Sequence, residues 1–285
     1  MHQMSKDYPV AVASRVMGIA RSTYYAVPCH KDRVPLRKAL KCVAGQWPTY
    51  GYRRLTAMLR REGMPVNHKL VLAQMHILGL VQRKRRRTAQ TTNSRHGFAR
   101  YPNALASTPI KEPDQCWVAD ITYVQLQGEW IYLAVLMDVF TRTIRGWALS
   151  RRCDEALSIE ALQNALATGR RPAMHHSDQG VQYAATGYTA ILKAHAVAIS
   201  MAARGEPREN GFAERVMRTI KEEHVALTEY DTLADARQQI KQFLEDVYNR
   251  KRIHSSLEYR TPVEFEESWR QQQKVSDTVP TVSHK

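Results

Sequence analysis

Hydrophobic and polar positions follow two patterns along this chain. In the first part, apolar residues recur every three or four positions and glycines end the segments, which predicts short helices. Residues 10–25 form one such pair around Gly18. A second pair follows in "YGYRRLTAMLRREGM" and "HKLVLAQMHILGL", where Asn67 is a suitable N-cap and Gly79 a suitable stop. The pattern predicts helix-turn-helix units, although ordinary helical hairpins share it.

A different pattern begins near residue 116. Three runs rich in Val, Ile, Leu, Trp and Tyr predict strands at about 116–126, 130–138 and 143–149. Helical and strand-like segments then alternate. The order β-β-β-α-β-α-β-α predicts an α/β fold with a mixed sheet and helices packed around it. Trp117, Trp130 and Trp147 are assigned to its core.

Charge separates the same two parts of the chain. Residues 1–110 contain 20 lysines and arginines against 3 acidic residues, whereas residues 111–285 contain 22 against 24. The formal net charge of the chain is +15. A basic arm joined to a nearly neutral body indicates an anionic partner, most often nucleic acid.

Basic residues of this arm are the predicted contacts to the DNA backbone. Those on the second helix pair are Arg53, Arg54, Arg60, Arg61 and Lys69. Those in the run "QRKRRRT" are Arg83, Lys84, Arg85, Arg86 and Arg87. A solvated charge run is the alternative interpretation of that second group. A segment rich in Thr, Asn, Ser and Pro follows and lacks periodicity, so a domain boundary is expected within it.

Several classes of protein are disfavoured. No apolar run approaches the ~18–20 residues of a membrane span, and the N-terminus lacks the apolar core of a signal peptide. The four cysteines form no CxxC pair, which argues against a zinc knuckle or a disulfide framework. We therefore expect a cytoplasmic protein with ordinary thiols and no membrane partner.

Three carboxylates are the candidate catalytic and metal-binding residues. Asp120 lies in the middle of an apolar strand, where an unpaired carboxylate is costly. Asp178 ends a short strand, and Glu214 lies on a helix, opposite a predicted core stripe of Phe212, Val216 and Ile220. Oxygen ligands of this kind suit a pair of Mg²⁺ ions and attack on a phosphodiester. A hydrogen-bonded or salt-bridged aspartate is the alternative interpretation of Asp120.

The stretch "HHSDQG" offers two other kinds of chemistry. Zinc held by His175 and His176 is disfavoured because neighbouring residues on a strand point to opposite faces. Ser177 lacks the G-x-S-x-G elbow of a serine nucleophile. The two histidines either support Asp178, touch phosphate, or pack in the core. Asp138 is a fourth choice for metal and otherwise orients Arg142 or Arg145.

Four blocks of sequence carry a resemblance to a known family. The blocks are "WVADITYV", "YLAVLMDVFTRTIRGWAL", "HHSDQGVQY" and "ENGFAERVMRTIKEE", with 57 residues between Asp120 and Asp178 and 35 between Asp178 and Glu214. They resemble the catalytic core of DDE transposases and retroviral-type integrases, in particular the second-frame product (OrfB) of the IS3 insertion-sequence family. "YNRKRIHSSLEYRTPVEF" resembles its C-terminal signature, and the sequence "PRENGFAER" departs from the Asp-Asn-Ala run of many relatives.

The resemblance implies an RNase H-like mixed five-stranded sheet with flanking helices, preceded by an all-α helix-turn-helix DNA-binding region. It implies a triad of Asp120, Asp178 and Glu214, two Mg²⁺ ions that Mn²⁺ can replace, and contact between Lys221 and donor DNA phosphate. Arg218 shares the helix face of Glu214 and is a further predicted DNA contact. The implied reaction is cleavage at the element's ends, followed by attack of a 3′-hydroxyl on target DNA.

The predicted domains are a helix-turn-helix region with a basic tail at 1–88, a linker at 89–112, an integrase core with a C-terminal helix at 113–270, and a flexible tail at 271–285. The implied partners are double-stranded DNA, further copies of the chain on that DNA, and a first-frame product (OrfA). The implied location is the bacterial nucleoid. Two alternatives remain open, namely a related nuclease and a DNA-binding regulator without catalysis.

Overall fold

A computed structural model of the chain describes residues 7–25, 32–81, 100–203 and 206–278. The first two ranges are entirely helical in their regular structure. The five helices are α1 (Val10–Val16), α2 (Arg21–Tyr25), α3 (Val34–Gln46), α4 (Tyr52–Arg61) and α5 (His68–Ile77). Both predicted helix pairs are present, while α3 had no counterpart in the sequence prediction.

Local sequence explains where the second pair begins and ends. The Asn67 side chain accepts a hydrogen bond from the Lys69 backbone N–H at 2.8 Å, which caps α5. Gly63 and Gly79 follow α4 and α5 with φ values of +82° and +67°, which only glycine adopts without strain. The buried residues of these helices form one core around Leu40, Leu55 and Val71.

A five-stranded mixed sheet forms the second part of the molecule. Its strands are β1 (Cys116–Leu126), β2 (Glu129–Asp138), β3 (Ile144–Ser150), β4 (Met174–Ser177) and β5 (Ala198–Met201). The spatial order is β3-β2-β1-β4-β5. The first three strands are antiparallel, whereas β4 pairs in parallel with β1 and β5 pairs in parallel with β4. The predicted α/β fold is confirmed, with β1 at the centre of the sheet.

Helices cover both faces of this sheet. They are α6 (Glu155–Leu166), α7 (Val181–Ala184), α8 (Thr186–Ala194), α9 (Gly211–Glu223), α10 (Leu233–Gln242) and α11 (Pro262–Thr278). One face packs on α6, α7 and α8, and the other packs on α9, α10 and a π-helical turn at Phe243–Tyr248. Side chains of β1 are buried without interruption from Cys116 to Asp120, where both faces are covered, and burial alternates only from Ile121 to Leu126.

The helical region and the sheet region share an interface. Ile253, in the loop before α11, is buried in the core formed by α3, α4 and α5. Its backbone N–H donates to the Tyr50 hydroxyl at 3.2 Å. Arg54 of α4 reaches Glu223 at the end of α9, with Nη1 2.9 Å from Oε1. The first helices are thereby fixed against the sheet region.

Three details differ from the sequence interpretation. Phe212 was assigned to the core stripe of its helix, yet its ring is exposed and lies against the Arg142 guanidinium instead of the sheet. Trp130 was assigned to the core but is half-exposed at the edge of the β1–β2 hairpin, packed edge-on against Tyr123. The segment from residue 100 onward, predicted as a linker, contacts the sheet, since Met201 N–H donates to Pro102 O.

Candidate active site

Asp120 lies at the centre of β1, opposite Val135 of β2. Its side chain is 7% exposed, and Oδ1 accepts a hydrogen bond from the Ile121 N–H at 2.8 Å. Burial, together with the charges of Asp178 and Glu214, raises the pKa of Asp120 from its ordinary 3.8 to about 7. The structure therefore brings all three predicted carboxylates within electrostatic reach of one another.

Asp178 follows β4, the parallel neighbour of β1. Val118 pairs with His176, so a step of two residues along each strand sets Asp120 and Asp178 side by side on one face. Asp178 Oδ1 accepts a hydrogen bond from the Gly180 N–H at 3.0 Å. A Cβ at Gly180 would lie 2.9 Å from that oxygen, so the absence of a side chain here leaves room for the carboxylate.

Glu214 is in the first turn of α9, which packs against β1. Asn210, one turn earlier, donates from Nδ2 to the backbone oxygen of Ala119 at 3.3 Å. This bond fixes the start of α9 next to Asp120. A carboxylate in the first turn is also stabilised by the helix dipole. The predicted placement of Glu214 away from buried Val216 and Ile220 agrees with its half-buried side chain.

Lys221 lies two turns further along α9 on the same side. Its Nζ is 4.0 Å from the centre of the Tyr123 ring, and its charge lowers the pKa of Asp120. Burial lowers the pKa of Lys221 itself, while Asp120 opposes that effect. Arg218 is exposed on α9. The site thus combines three carboxylates with one adjacent cation.

The donor set fits hard divalent cations. Carboxylate oxygens are the ligands that Mg²⁺ and Mn²⁺ prefer, and three carboxylates lie within electrostatic reach of one another here. Across the described ranges, no group of three or more His, Cys, Asp or Glu side chains is arranged as a ready metal cluster. In these rotamers Asp120 and Asp178 each turn one oxygen to a backbone N–H.

The two histidines before Asp178 are buried structural residues. His175 Nε2 is 2.8 Å from the Tyr188 hydroxyl, and burial lowers the pKa of His175 to about 3. His176 contacts the Ser200 hydroxyl at 2.8 Å through Nδ1 and the Glu209 carbonyl at 3.2 Å through Nε2. Of the alternatives, packing in the core is the arrangement found. Neutral histidines held in this way support the strand that carries Asp178.

Asp138 is also structural. Its Oδ1 accepts from the Thr141 N–H at 2.6 Å and from the Thr141 hydroxyl at 2.9 Å, which closes the turn after β2. Arg145 lies 3.9 Å away through Nη2 and 2.9 Å from Asp114. Asp138 thus belongs to a salt-bridged network at the end of β2.

The predicted DNA contacts of the helical region occupy different environments. Arg53 and Lys69 are exposed on α4 and α5. Arg54 is largely buried and pairs with Glu223. Arg60 donates to Val66 O, and Arg61 pairs with Glu264 of α11. The basic run of Arg83, Lys84, Arg85, Arg86 and Arg87 lies outside the described residues.

Two residues near the carboxylates were missed by sequence reasoning. Asn210 anchors α9, as described above, and its Oδ1 is buried without a hydrogen-bond partner among the described residues. The Tyr183 hydroxyl is buried and likewise unpaired within the described ranges. Burial raises the pKa of Tyr183, and the charges of Tyr188, Asp120 and Asp178 add to that effect. The sequence signal that could have identified them is that Asn210 lies close to Glu214 along the chain and Tyr183 lies close to Asp178.

Comparisons with known proteins match both parts of the chain. Residues 30–88 match the family described as "HTH-like domain", and residues 110–207 and 195–262 match two families described as "Integrase core domain". None of the helices in the described ranges has an apolar stretch of the length that a bilayer requires.

Curated relatives match along most of their length. The chain is 34% identical over 268 residues to an uncharacterized 31 kDa protein of insertion element IS600 from Shigella sonnei, of which 98% is covered. It is 31% identical over 272 residues to transposase InsF of insertion sequence IS3A from Escherichia coli, with 94% covered. These matches span 90% and 91% of this chain.

Among solved structures, the chain is similar to the HTLV-2 integrase catalytic core domain in complex with magnesium. The TM-score is 0.44 at 15% identity, with 54% of this chain and 97% of that chain covered. The family assignment rests on the curated relatives and the family models. This chain belongs to the IS3 family of transposases, DDE polynucleotidyl transferases built on an integrase core domain.

Proposed function

We propose that this transposase cleaves the ends of its insertion element and joins their 3′-hydroxyls to target DNA, with Asp120, Asp178 and Glu214 as the catalytic carboxylates. The observation that carries the proposal is the convergence of three acidic side chains from β1, the end of β4 and α9. The pKa of Asp120, raised to about 7, records both its burial and the charges of the other two. Such a cluster is stabilised by cations.

The three carboxylates would hold two Mg²⁺ ions, which Mn²⁺ can replace. When bound, such ions stabilise the charge on the attacked phosphate and the leaving oxygen, and promote deprotonation of the attacking hydroxyl. The chain supplies rigid ligands. Asp120 is fixed by the central strand, Asp178 by the Gly180 N–H, and Glu214 by the anchoring of Asn210 on Ala119.

Basic side chains near the carboxylates would receive the DNA backbone. Lys221 contacts donor phosphate beside the reacting bond, and exposed Arg218 continues that surface along α9. Arg53 and Lys69 provide further phosphate contacts from α4 and α5. The predicted basic tail at residues 83–87 extends this set.

The proposed assembly contains double-stranded DNA of the element ends and target, together with further copies of the chain. Two ends must be held together for joined insertion, so self-association occurs on DNA. The first-frame product OrfA is a proposed partner. Because these DNA substrates lie in the bacterial nucleoid, we expect the protein to act there.

Strand transfer of a pre-cleaved element-end oligonucleotide into plasmid DNA tests this proposal. Wild-type protein with Mg²⁺ should form joined products. Glu214→Gln, Asp120→Asn and Asp178→Asn should each lower joining by at least ~10³-fold, equal to roughly 4 kcal/mol, and leave end binding intact. Glu222→Gln removes an exposed carboxylate from the same helix and should retain full joining.

The same assay separates the alternatives. Cleavage without joining would indicate the related nuclease. Near-normal joining by one carboxylate variant would refute the assignment of that residue. Salt-sensitive end binding without joining, even after addition of the first-frame product, would indicate a regulator.

A further inference from the structure

A second charged site lies on a different side of α9 from Glu214. A cavity of about 760 Å³ opens where the helical region, α9 and the loop before α11 meet. Four arginines line it, namely Arg54, Arg142, Arg215 and Arg252. An α-helix turns about 100° per residue, so Arg215 and Thr219 point roughly 100–140° away from Glu214 around the axis of α9. The cavity that they line and the three carboxylates therefore occupy different sides of this helix.

The positive charge of this cavity is only partly balanced. Arg54 and Arg252 share one acid, Glu223, at 2.9 Å and 2.7 Å. Among the side chains that the structure describes, Arg142 and Arg215 form no salt bridge, and Glu223 is the one carboxylate that pairs with any of the four guanidinium groups.

One further acid lines the cavity but is already engaged. Glu209 Oε2 accepts a hydrogen bond from the Ala203 N–H at 2.6 Å. His254 adds no charge, because Arg252 Nη1 donates to its Nε2 at 3.2 Å and burial lowers the pKa of His254 to about 2. After burial, the four arginines are the next causes of that low pKa, which confirms that they converge on one region.

Arg142 is held at this cavity by an unusual backbone. Its φ is +62°, a left-handed conformation that costs a non-glycine residue about 1 kcal/mol or more. The turn that imposes it is closed by Asp138, whose backbone oxygen accepts from the Arg142 N–H at 2.9 Å. The guanidinium carbon lies 4.4 Å from the centre of the Phe212 ring.

Burial lowers the pKa of both Arg142 and Arg215, yet arginine remains charged at any physiological pH. Arg142 is half-buried and Arg215 is exposed, and two such cations without a salt-bridge partner among the described side chains favour an anion supplied from outside. The chain's own residues 82–99 are a poor occupant, because they contain six lysines and arginines and no acid. The volume falls in the range of about 300–1,000 Å³ typical of small-ligand sites.

We propose that this cavity is a second phosphate-binding site, which takes one nucleotide of DNA. Arg142 and Arg215 bind the phosphate, and the exposed Phe212 ring offers an apolar surface for the sugar or base. Guanidinium groups suit phosphate because their paired N–H donors match its oxygens. The site extends the proposed function but does not use the three carboxylates.

The first test measures thermal unfolding in EDTA with inorganic phosphate or with chloride at equal ionic strength. Phosphate should raise the midpoint temperature of the wild type by several degrees more than chloride does. Arg142→Gln and Arg215→Gln should lose that difference, while Arg215→Lys, which keeps the charge, should retain part of it. Arg151→Gln removes an exposed arginine paired with Glu129 and should respond as wild type.

The second test distinguishes DNA from a free nucleotide as the source of the phosphate. In EDTA, Arg142→Gln and Arg215→Gln should each weaken duplex binding about tenfold and reduce the slope of log affinity against log salt by about 1. Weaker binding of dAMP with unchanged duplex binding would overturn the assignment to DNA. Equal phosphate responses in all variants would overturn the site itself.

These measurements are independent of the carboxylate proposal. Neither requires joining, so an inactive transposase still gives a result. Glu214→Gln should keep the full phosphate response. Loss of that response in Glu214→Gln would mean that phosphate binds at the carboxylate side of α9, which would overturn the proposed location.

Discussion

The two sides of α9 carry opposite charges. On one side, Asp120, Asp178 and Glu214 face a single nearby lysine, Lys221. On the other, four arginines lie near two acids, of which Glu223 pairs with Arg54 and Arg252 and Glu209 accepts from the Ala203 N–H. Each side therefore has an excess of one sign of charge, which a folded chain tolerates only at a cost.

A third cluster shows what a balanced arrangement looks like. Arg145 lies 2.9 Å from both Asp114 and Glu266, and Arg170 and Arg270 also pair with Glu266. These arginines hold the pKa of Glu266 down to about 2. Here the opposite charges satisfy each other and fasten α11 to the sheet. The comparison teaches that imbalance, rather than the number of charged residues, separates a ligand site from a structural network.

Glu223→Gln should have the largest effect on stability, because it leaves Arg54 and Arg252 without their acid. Breaking a buried ion pair in this way costs about 3–5 kcal/mol. Urea unfolding at pH 7 and low salt would measure the loss. Glu222→Gln, at the exposed neighbouring position, should change stability by less than ~0.5 kcal/mol. A decrease of less than ~1 kcal/mol in the free energy of unfolding of Glu223→Gln would mean that the positive charge of the arginines does not destabilise this side of α9.

Asp120→Asn should stabilise the metal-free protein at high pH. The folded state keeps the Asp120 proton until about pH 7, whereas the unfolded chain releases it near 3.8. The contribution of Asp120 to the free energy of unfolding is therefore fully present below about pH 4 and is lost as the pH rises to 7. Asparagine avoids the loss, which amounts to up to about 4 kcal/mol at pH 8.

Thermal unfolding in EDTA at pH 5 and pH 8 would check this pH dependence. The difference in midpoint temperature between Asp120→Asn and the wild type should be larger at pH 8 than at pH 5. Mg²⁺ should stabilise the wild type more than the variant. Asp246→Asn, at an exposed position of the π-helical turn, should show neither effect. An equal difference at both pH values would contradict a raised pKa for Asp120.

Gly180→Ala should have the smallest effect, and on activity rather than stability. The new Cβ would lie 2.9 Å from Asp178 Oδ1, while the backbone at φ −65° accepts alanine. Displacing the carboxylate should reduce joining by about 10–100-fold, with stability changed by less than ~1 kcal/mol. Gly45→Ala, where nothing lies within 4 Å, is the matched control. Unchanged joining would show that Asp178 does not need this position.

Much of the local structure could be predicted from the sequence. The strand at 116–126 matches β1 residue for residue, since its apolar pattern is unbroken and a glycine turn follows. The predicted cap at Asn67 is present, because it depends on a residue only two positions away. The helical phase of α9 likewise separated Glu214 from Val216 and Ile220.

Predictions that depended on distant partners were less successful. The helical phase alone placed Phe212 with the core, but its ring is exposed and lies beside Arg142. Arg54 was predicted only as a DNA contact, and nothing in the sequence indicated its pairing with Glu223, which joins residues 169 positions apart. No local pattern marks such a pair.

The element types, the spacing of the three acids and the charge contrast between the two parts of the chain follow from the amino-acid sequence, because periodicity, capping and composition are local properties. Which charges meet depends on how the elements pack. The parallel pairing of β4 with β1 brings Asp178 beside Asp120. The packing of α4 and the loop before α11 against α9 gathers the four arginines. Electrostatic energy depends on distance and burial, and both are set only when the chain has folded.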